Sequence, residues 1–363
     1  MMHPLAAVWS QARNAWLLRG LLAPRQLLGA LPLPYHWYVR RDGSAPTPLF
    51  IGWYITYACP QNCAFCNVSK AVKVWHKPMG EKEENLFIDR FVPRIGTVAI
   101  GGGEPLFHPG IDDRVSRIRA RGGRVLIVTS GTTLGPAEAR RLAAAAPEMI
   151  IFSVLGDEQT HDREMGRAGS WQKATGGLAN FLAARDPRKT RVGINCALGS
   201  GNALTMRAVV DLGRKLGVDA VRFTWMSFLT ESERRREPHE ITYLVLPDED
   251  LGAFDPTPML ATARALEREH PGFVQFTPRL NEGERGNWFR AGGGVNRRCL
   301  YIWHTLFVRP DGSVVPCGHL FDDPLGNVRS DRLEAIWNSD RFRSVRRAQW
   351  AQPFEVCRRC CKV

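Results

Sequence analysis

Six strand-like runs, at 50–57, 96–101, 124–129, 149–154, 191–198 and 219–226, alternate with helix-like stretches such as 81–92, 110–121, 136–146, 171–184 and 203–216. This repeat constrains the fold more than any other feature of the chain. Successive strands joined by helix-length crossovers run parallel, because each crossover returns the chain to the end of the sheet where it started. Such crossovers are right-handed. The expectation is an α/β fold over residues 50–230. In barrels built this way the chemistry sits at the C-terminal ends of the strands.

Two motifs fall at such ends. The apolar run Phe50-Ile-Gly-Trp-Tyr-Ile-Thr-Tyr57 is followed by Cys59-Pro-Gln-Asn-Cys63-Ala-Phe-Cys66, a C-x3-C-x2-C triplet. A strand carries the chain in, and a tight loop aims three thiolates at one point. Three thiolates can hold three irons of a 4Fe–4S cube and leave the fourth iron open to bind and reduce something. The second motif, Gly101-Gly102-Gly103-Glu104-Pro105, ends the next strand. Glycines there let a ligand approach the backbone, and Glu104 adds a carboxylate acceptor. Alone, this stretch could be only a tight turn.

The triplet, with an aromatic just before its last cysteine, and the Gly-Gly-Glu-Pro stretch resemble the motifs of the radical SAM enzyme family. The resemblance implies a partial (β/α)6 barrel. It implies that Cys59, Cys63 and Cys66 hold a 4Fe–4S cluster, and that Gly102, Gly103, Glu104 and Pro105 contact the methionyl amine of S-adenosylmethionine (SAM). In Val125-Leu-Ile-Val-Thr-Ser130 the small polar Ser130 stands where the family often faces SAM, and Ser153 ends the fourth strand as a ribose or carboxylate contact. Asn202, in the loop after strand five, is either an adenosine contact or a turn residue. The stretch Ser153-Val-Leu-Gly156 with His161-Asp162 departs from the family pattern. Leu155 replaces the usual Asp, and Met165 the usual Arg. His161-Asp162 reads equally as a helix start.

The late cysteines form a third constellation. Cys299 precedes an apolar run, Pro310-Asp311-Gly312 signals a hairpin turn, and Cys317 follows it. The chain then closes on Cys357-Arg-Arg-Cys360-Cys361. This pattern resembles the SPASM/twitch domain, a small C-terminal iron–sulfur domain of many radical SAM enzymes. Five cysteines rather than seven imply one auxiliary 4Fe–4S cluster, on Cys299, Cys317, Cys357 and Cys360, with Cys361 as the alternative to Cys360. Zinc on the same thiolates is the other reading. Cys196, in strand five, is either an inert core thiol or a hydrogen-atom donor.

The domain expectation is therefore an N-terminal basic apolar extension (1–49), the barrel (50–230), a connecting, substrate-shaping region (231–298) and the auxiliary cluster domain (299–363). Clustered cysteines without a signal-peptide pattern place the chain in a reducing cytoplasm. The net charge of +13 invites nucleic acid. Two clusters would reduce it to roughly +10, and the arginine runs lack the interleaved aromatics of a single-strand groove. An anionic small molecule or membrane surface fits better. In the extension, Trp9, Ala12, Trp16, Leu17, Leu21, Leu22, Leu27 and Leu28 recur near helical spacing among Arg13, Arg19 and Arg25. The face either packs on the barrel, which the breaks at Pro24, Pro32 and Pro34 favour, or makes a peripheral membrane contact through residues 1–40.

The resemblance implies reductive cleavage of SAM to a 5′-deoxyadenosyl radical and hydrogen abstraction from an unactivated C–H bond. An electron donor such as flavodoxin or ferredoxin is implied. With an auxiliary cluster to accept the substrate's electron, a two-electron oxidation or bond formation on a small-molecule or lipid-like substrate follows. The alternatives are a ribosomal-peptide maturase and a non-enzymatic iron–sulfur or zinc scaffold. The helical, apolar character of residues 1–49 counts against the strand-rich peptide-binding domain that often opens such maturases.

Overall fold

The computed structural model describes residues 20–66, 68, 77–241, 244–320 and 324–362. Its core is a parallel array in the order β1 (Phe50–Thr56), β2 (Thr97–Gly102), β3 (Arg124–Thr129), β4 (Met149–Ser153), β5 (Arg191–Leu198) and β6 (Ala220–Trp225). These are the six expected strands. Helices Glu81–Ile95, Ile111–Ala120, Pro136–Ala145, Ser170–Ala184 and Met206–Leu216 occupy the expected crossovers, and a further helix, Glu158–Met165, precedes the fourth of these crossover helices.

The sheet is longer than the six-unit repeat. After the small parallel pair β7 (Phe228–Thr230) and β8 (Leu244–Leu246), strand β9 (Val274–Thr277) pairs in parallel with β6. At the other edge β10 (Thr305–Val308) pairs in parallel with β1. The hairpin expected around Gly312 then adds β11 (Ser313–Val315) antiparallel to β10, and β12 (Gly326–Asn327) follows. The connecting region thus contributes one strand and the cysteine-rich end three to the same sheet.

Successive side chains alternate between the two faces of a strand. Ile51, Trp53 and Ile55 of β1, Val192, Ile194, Cys196 and Leu198 of β5, and Val221, Phe223 and Trp225 of β6 belong to the main core under the helices. Trp53 meets Phe87 of the first crossover helix edge-on, with ring centres 5.2 Å apart. The intervening residues face the lumen. A separate cluster of Leu21, Met149 and Ile151, with Leu126 and Val128 against it, fills the lower lumen. Leu21 reaches it because the N-terminal segment crosses beneath the strands. The Leu21 carbonyl accepts from the Thr97 hydroxyl, and the buried Gln26 amide donates to the carbonyls of Leu49 (2.7 Å) and Ile95 (2.9 Å).

The described part of the extension packs on the barrel in part. Leu21 packs into the barrel, whereas Leu27, Leu28 and Leu31 stay exposed. Trp9, Ala12, Arg13, Trp16, Leu17 and Arg19 lie outside the described residues. No helix among the described residues is long and apolar enough to cross a membrane.

The C-terminal tail is anchored by a buried ion pair. Arg359 meets Glu233 with both side chains essentially inaccessible, and its Nε donates to the Trp288 carbonyl at 2.6 Å. Glu233 in turn accepts from the Thr230 backbone N–H at 2.9 Å and caps the helix Glu231–Arg236. Removing one partner of such a pair leaves a charge buried alone. Arg359→Met is expected to cost about 3–5 kcal/mol, read as a lowered urea midpoint, and adding Glu233→Gln should restore part of it.

Candidate active site

The triplet loop and the glycine loop are joined at the mouth of the barrel. Gly103 N–H donates to the Thr56 carbonyl (2.7 Å) and Glu104 N–H to the Ala58 carbonyl (2.8 Å). Gly102 sits at φ 119°, and a Cβ on Gly103 would fall 2.3 Å from the Ala58 oxygen. Only glycine allows this approach, which brings the cysteine loop and the strand-two loop together.

Glu104 is 1% exposed and its carboxylate is fully engaged. One oxygen accepts from Leu106 N–H (3.0 Å) and the Thr129 hydroxyl (2.5 Å), the other from Ser130 N–H (2.7 Å) and the Ser130 hydroxyl (2.6 Å). Ser130 also meets the Thr132 hydroxyl, to which Gln61, inside the cysteine loop, donates at 3.1 Å. Gln61 accepts in turn from the Ser170 hydroxyl at 3.1 Å. Glu104 and Ser130 thus meet in one network, and Pro105 opens the short 3-10 turn Pro105–Phe107 behind them.

Cys59, Cys63 and Cys66 stand on this loop, none of them in a disulfide. Burial raises Cys63 to about 12, and Cys66 and Cys59 reinforce the shift. Burial also raises Cys59, with Glu104 and Cys66 adding to it against the Gln61 N–H. Neighbouring thiols that resist ionisation together are a donor set that a metal's charge would ionise, so the residues fit an iron–sulfur cluster. Met165 places its sulfur 3.3 Å from Cys63 Sγ. The departure from Arg at this position thus puts a neutral thioether beside a candidate ligand.

Other sequence candidates separate clearly. Ser153 lies at the end of β4, in register with Asn195 of β5. Asn202 is 2% exposed and donates to the carbonyls of Leu155 (3.0 Å) and Ala197 (2.8 Å) while accepting from Gly199 N–H (2.9 Å). Both amide protons are engaged, so the arrangement is that of the turn residue rather than an adenosine contact. Cys196 requires a correction as well. It is 1% exposed on the helix-facing side of β5, and a hydrogen-atom donor must face the lumen. His161 accepts from Leu155 N–H (3.1 Å), and Asp162 accepts from Gly169 N–H (2.6 Å) and Trp171 N–H (2.7 Å), which makes the pair a local brace.

The late cysteines converge on a second pocket. Cys299, Cys317, Cys357 and Cys360 line it together with Tyr301, His319 and Lys362, around about 410 Å³ of partly open space. Burial pushes Cys299 up to about 12 and raises Cys317, and it raises Cys357 with help from Cys299 and Cys317. This four-thiol set also fits an iron–sulfur cluster. Cys361 behaves differently. Cys360 donates to it, His319 and Lys362 favour its charge, and its thiol is held low while that of Cys360 is held high. The ligand atoms of His319, Cys360 and Cys361 lie within 4.8 Å of one another. His319 and Lys362 carry no spacing signal beyond their nearness to cysteines, and sequence reasoning passes over both.

Residues 53–227 match the Radical SAM superfamily, and residues 299–361 match SPASM, an iron-sulfur cluster-binding domain. The chain belongs to the radical SAM superfamily and carries a C-terminal SPASM domain. Its cofactors are SAM, the 4Fe–4S cluster that binds it, and an auxiliary 4Fe–4S cluster. It is similar to an AdoMet-dependent heme synthase of Methanosarcina barkeri, 26% identical over 82% of this chain and 85% of the relative. It is also similar to a PqqA peptide cyclase of Xanthomonas axonopodis pv. citri, 25% identical over 88% and 81% of the two chains. Among solved structures, Streptococcus suis SuiB bound to S-adenosylmethionine shares the fold, with a TM-score of 0.62 and 16% identity over 85% of this chain and 70% of that one. Native anSMEcpe with bound AdoMet and Cp18Cys peptide gives 0.61 at 16% identity, over 84% of each chain.

Two measurements check this site. Glu104→Gln turns an amide N–H₂ toward donors that now meet a carboxylate, and is expected to lower stability by about 1–3 kcal/mol in thermal melts. His161, which burial lowers to about 4 from its ordinary 6.5, is neutral when folded and takes a proton more readily when unfolded. Its share of stability is present above pH 6.5 and is lost as the pH falls toward 4, so His161→Gln should flatten the pH dependence of the melting temperature in that window.

Proposed function

We propose that this chain oxidises an unactivated C–H position of a small-molecule or lipid-like substrate held in the barrel lumen between its two thiol sites. In this reading Cys59, Cys63 and Cys66 hold the cluster that binds SAM, with Gly102, Gly103, Glu104, Pro105, Ser130 and Ser153 around the SAM position. Cys299, Cys317, Cys357 and Cys360 hold the auxiliary cluster, and Cys361 is the alternative ligand. When bound, SAM and its cluster supply a hydrogen-abstracting 5′-deoxyadenosyl radical and the auxiliary cluster supplies an electron acceptor, for a net two-electron oxidation or bond formation. A donor of the flavodoxin or ferredoxin type would deliver the initiating electron.

The observation that carries this reading is the wall shared by the auxiliary pocket and the lumen. Tyr54, lumen-facing on β1, points its hydroxyl at the Gly318 carbonyl 3.4 Å away, one residue past Cys317. Tyr301 lines the thiol pocket, and its hydroxyl would lie 3.0 Å from a Cβ at Gly52 of β1. Two aromatic side chains therefore bridge the space between substrate and the proposed acceptor. The protein's own contribution is position and the exclusion of competing quenchers.

A peptide substrate is the second reading. The similarity to PqqA peptide cyclases and the peptide-bound fold neighbours favour it. Against it, described residues 20–49 meet the barrel as helices and turns rather than as a strand-rich wing.

Anaerobic incubation of reconstituted protein with SAM and dithionite is expected to yield 5′-deoxyadenosine, and none, with or without candidate substrates, would count heavily against radical chemistry. A Cys59/Cys63/Cys66→Ala triple variant should retain about four iron per chain, and zero iron would sink the auxiliary site. In the same assays Glu104→Gln should bind SAM about tenfold more weakly than the native chain at equal folded protein.

A further inference from the structure

The lumen is chemically two-sided. Toward β3 and β4 it is apolar, lined by Leu126, Val128, Met149 and Ile151. From the C-terminal end of β4 across β5, β6 and β9 it is polar. Ser153, Asn195, Arg222 and Gln275 stand in register across four adjacent strands, all on the face opposite the helix-packed side chains. Arg222 is thus a cation on an interior strand, with a strand on each side. Its flanking residues Val221 and Phe223 are in the outer core, so the exposure it keeps is toward the lumen.

No described carboxylate forms an ion pair with Arg222. Its Nε donates to Asn195 Oδ1 at 2.8 Å, and the same oxygen accepts from the Thr224 hydroxyl at 2.7 Å. These two bonds fix the plane of the guanidinium. Its two terminal nitrogens make no hydrogen bond to a described residue. The charged neighbour is the Cys361 thiol, which works against the burial that lowers the Arg222 pKa. Lys362, beyond Cys361, is turned elsewhere, with Nζ 4.3 Å from the centre of the Tyr301 ring. A guanidinium does not shed its proton under ordinary conditions, and a buried charge whose terminal nitrogens lack hydrogen-bonded acceptors is costly. Its planar fork is the geometry that pairs with a carboxylate or phosphate through two parallel hydrogen bonds.

We propose that Arg222, held in plane by Asn195, receives an anionic group of the substrate, a carboxylate or a phosphate, and so fixes which end of the molecule points to the barrel mouth. The proposal rests on the radical SAM reading of the lumen. SAM carries a carboxylate of its own, so the test separates the two sources.

Anaerobically reconstituted, SAM-saturated protein is melted in glutarate, in inorganic phosphate and in neutral glutaramide, all at one ionic strength. The native chain should melt higher in at least one of the two anions than in glutaramide. Arg222→Gln should lose that increment, and Arg222→Lys, which keeps the charge without the fork, should recover less than half of it. The SAM dissociation constant of Arg222→Gln should stay within about twofold of native. No anion increment in the native chain, or the same increment in Arg222→Gln, overturns the proposal. A rise of about tenfold in the SAM dissociation constant assigns Arg222 to SAM's own carboxylate and also overturns it. So does a shifted auxiliary-cluster potential with the increment intact, which would make Arg222 a counter-charge to that cluster. If Arg222→Gln does not fold, Asn195→Ala carries the test, because it frees the fork without removing the charge and should reduce the increment. 5′-Deoxyadenosine formation by the native chain reports separately on the radical reading.

Discussion

Everything proposed at the barrel mouth depends on two backbone hydrogen bonds between neighbouring loops, Gly103 to Thr56 and Glu104 to Ala58. They fix where the cysteine loop leaves β1. They also turn the Glu104 carboxylate inward, where Thr129 and Ser130 hold it. Strands one, two and three are thereby locked together at the level where three thiols emerge. Without side-chain-free positions at 102 and 103 the loops could not close to this distance.

At its opposite end the chain uses a different device. A buried charge pair, Arg359 with Glu233, sits beside Cys360 and ties the last cysteines to the segment that follows β6. The hairpin meanwhile attaches β10 to the far edge, at β1. The auxiliary pocket is thus not an appended module with a surface of its own. It is built against the barrel wall, and that shared wall allows Tyr54 and Tyr301 to touch both compartments.

The six strands and their crossovers were legible because periodicity records local geometry; the strand ends agree within one residue and the helix ends within three. The added strands were not. Val274–Thr277 and Thr305–Val308 are four residues each, and nothing in so short a run says that it will pair with β6 or with β1. The two groups of thiols stood out in the sequence because of their spacing. Asn202 and Cys196 needed the register of β5. Val192, Ile194, Cys196 and Leu198 in fact alternate in the sequence, so the outward direction of Cys196 could have been read there. Arg222 and Lys362 are single polar residues, and only burial distinguishes them from the many surface cations of this basic chain.

Leu21 gives the barrel a floor. A chamber closed below by Leu21, Met149 and Ile151 exchanges its contents through the opposite end, where the cysteine loop stands. In the proposed function, cofactor and substrate then both approach from the side of the cysteine loop. On that reading entry and exit become a matter of order: whatever lies deepest must arrive first and leave last.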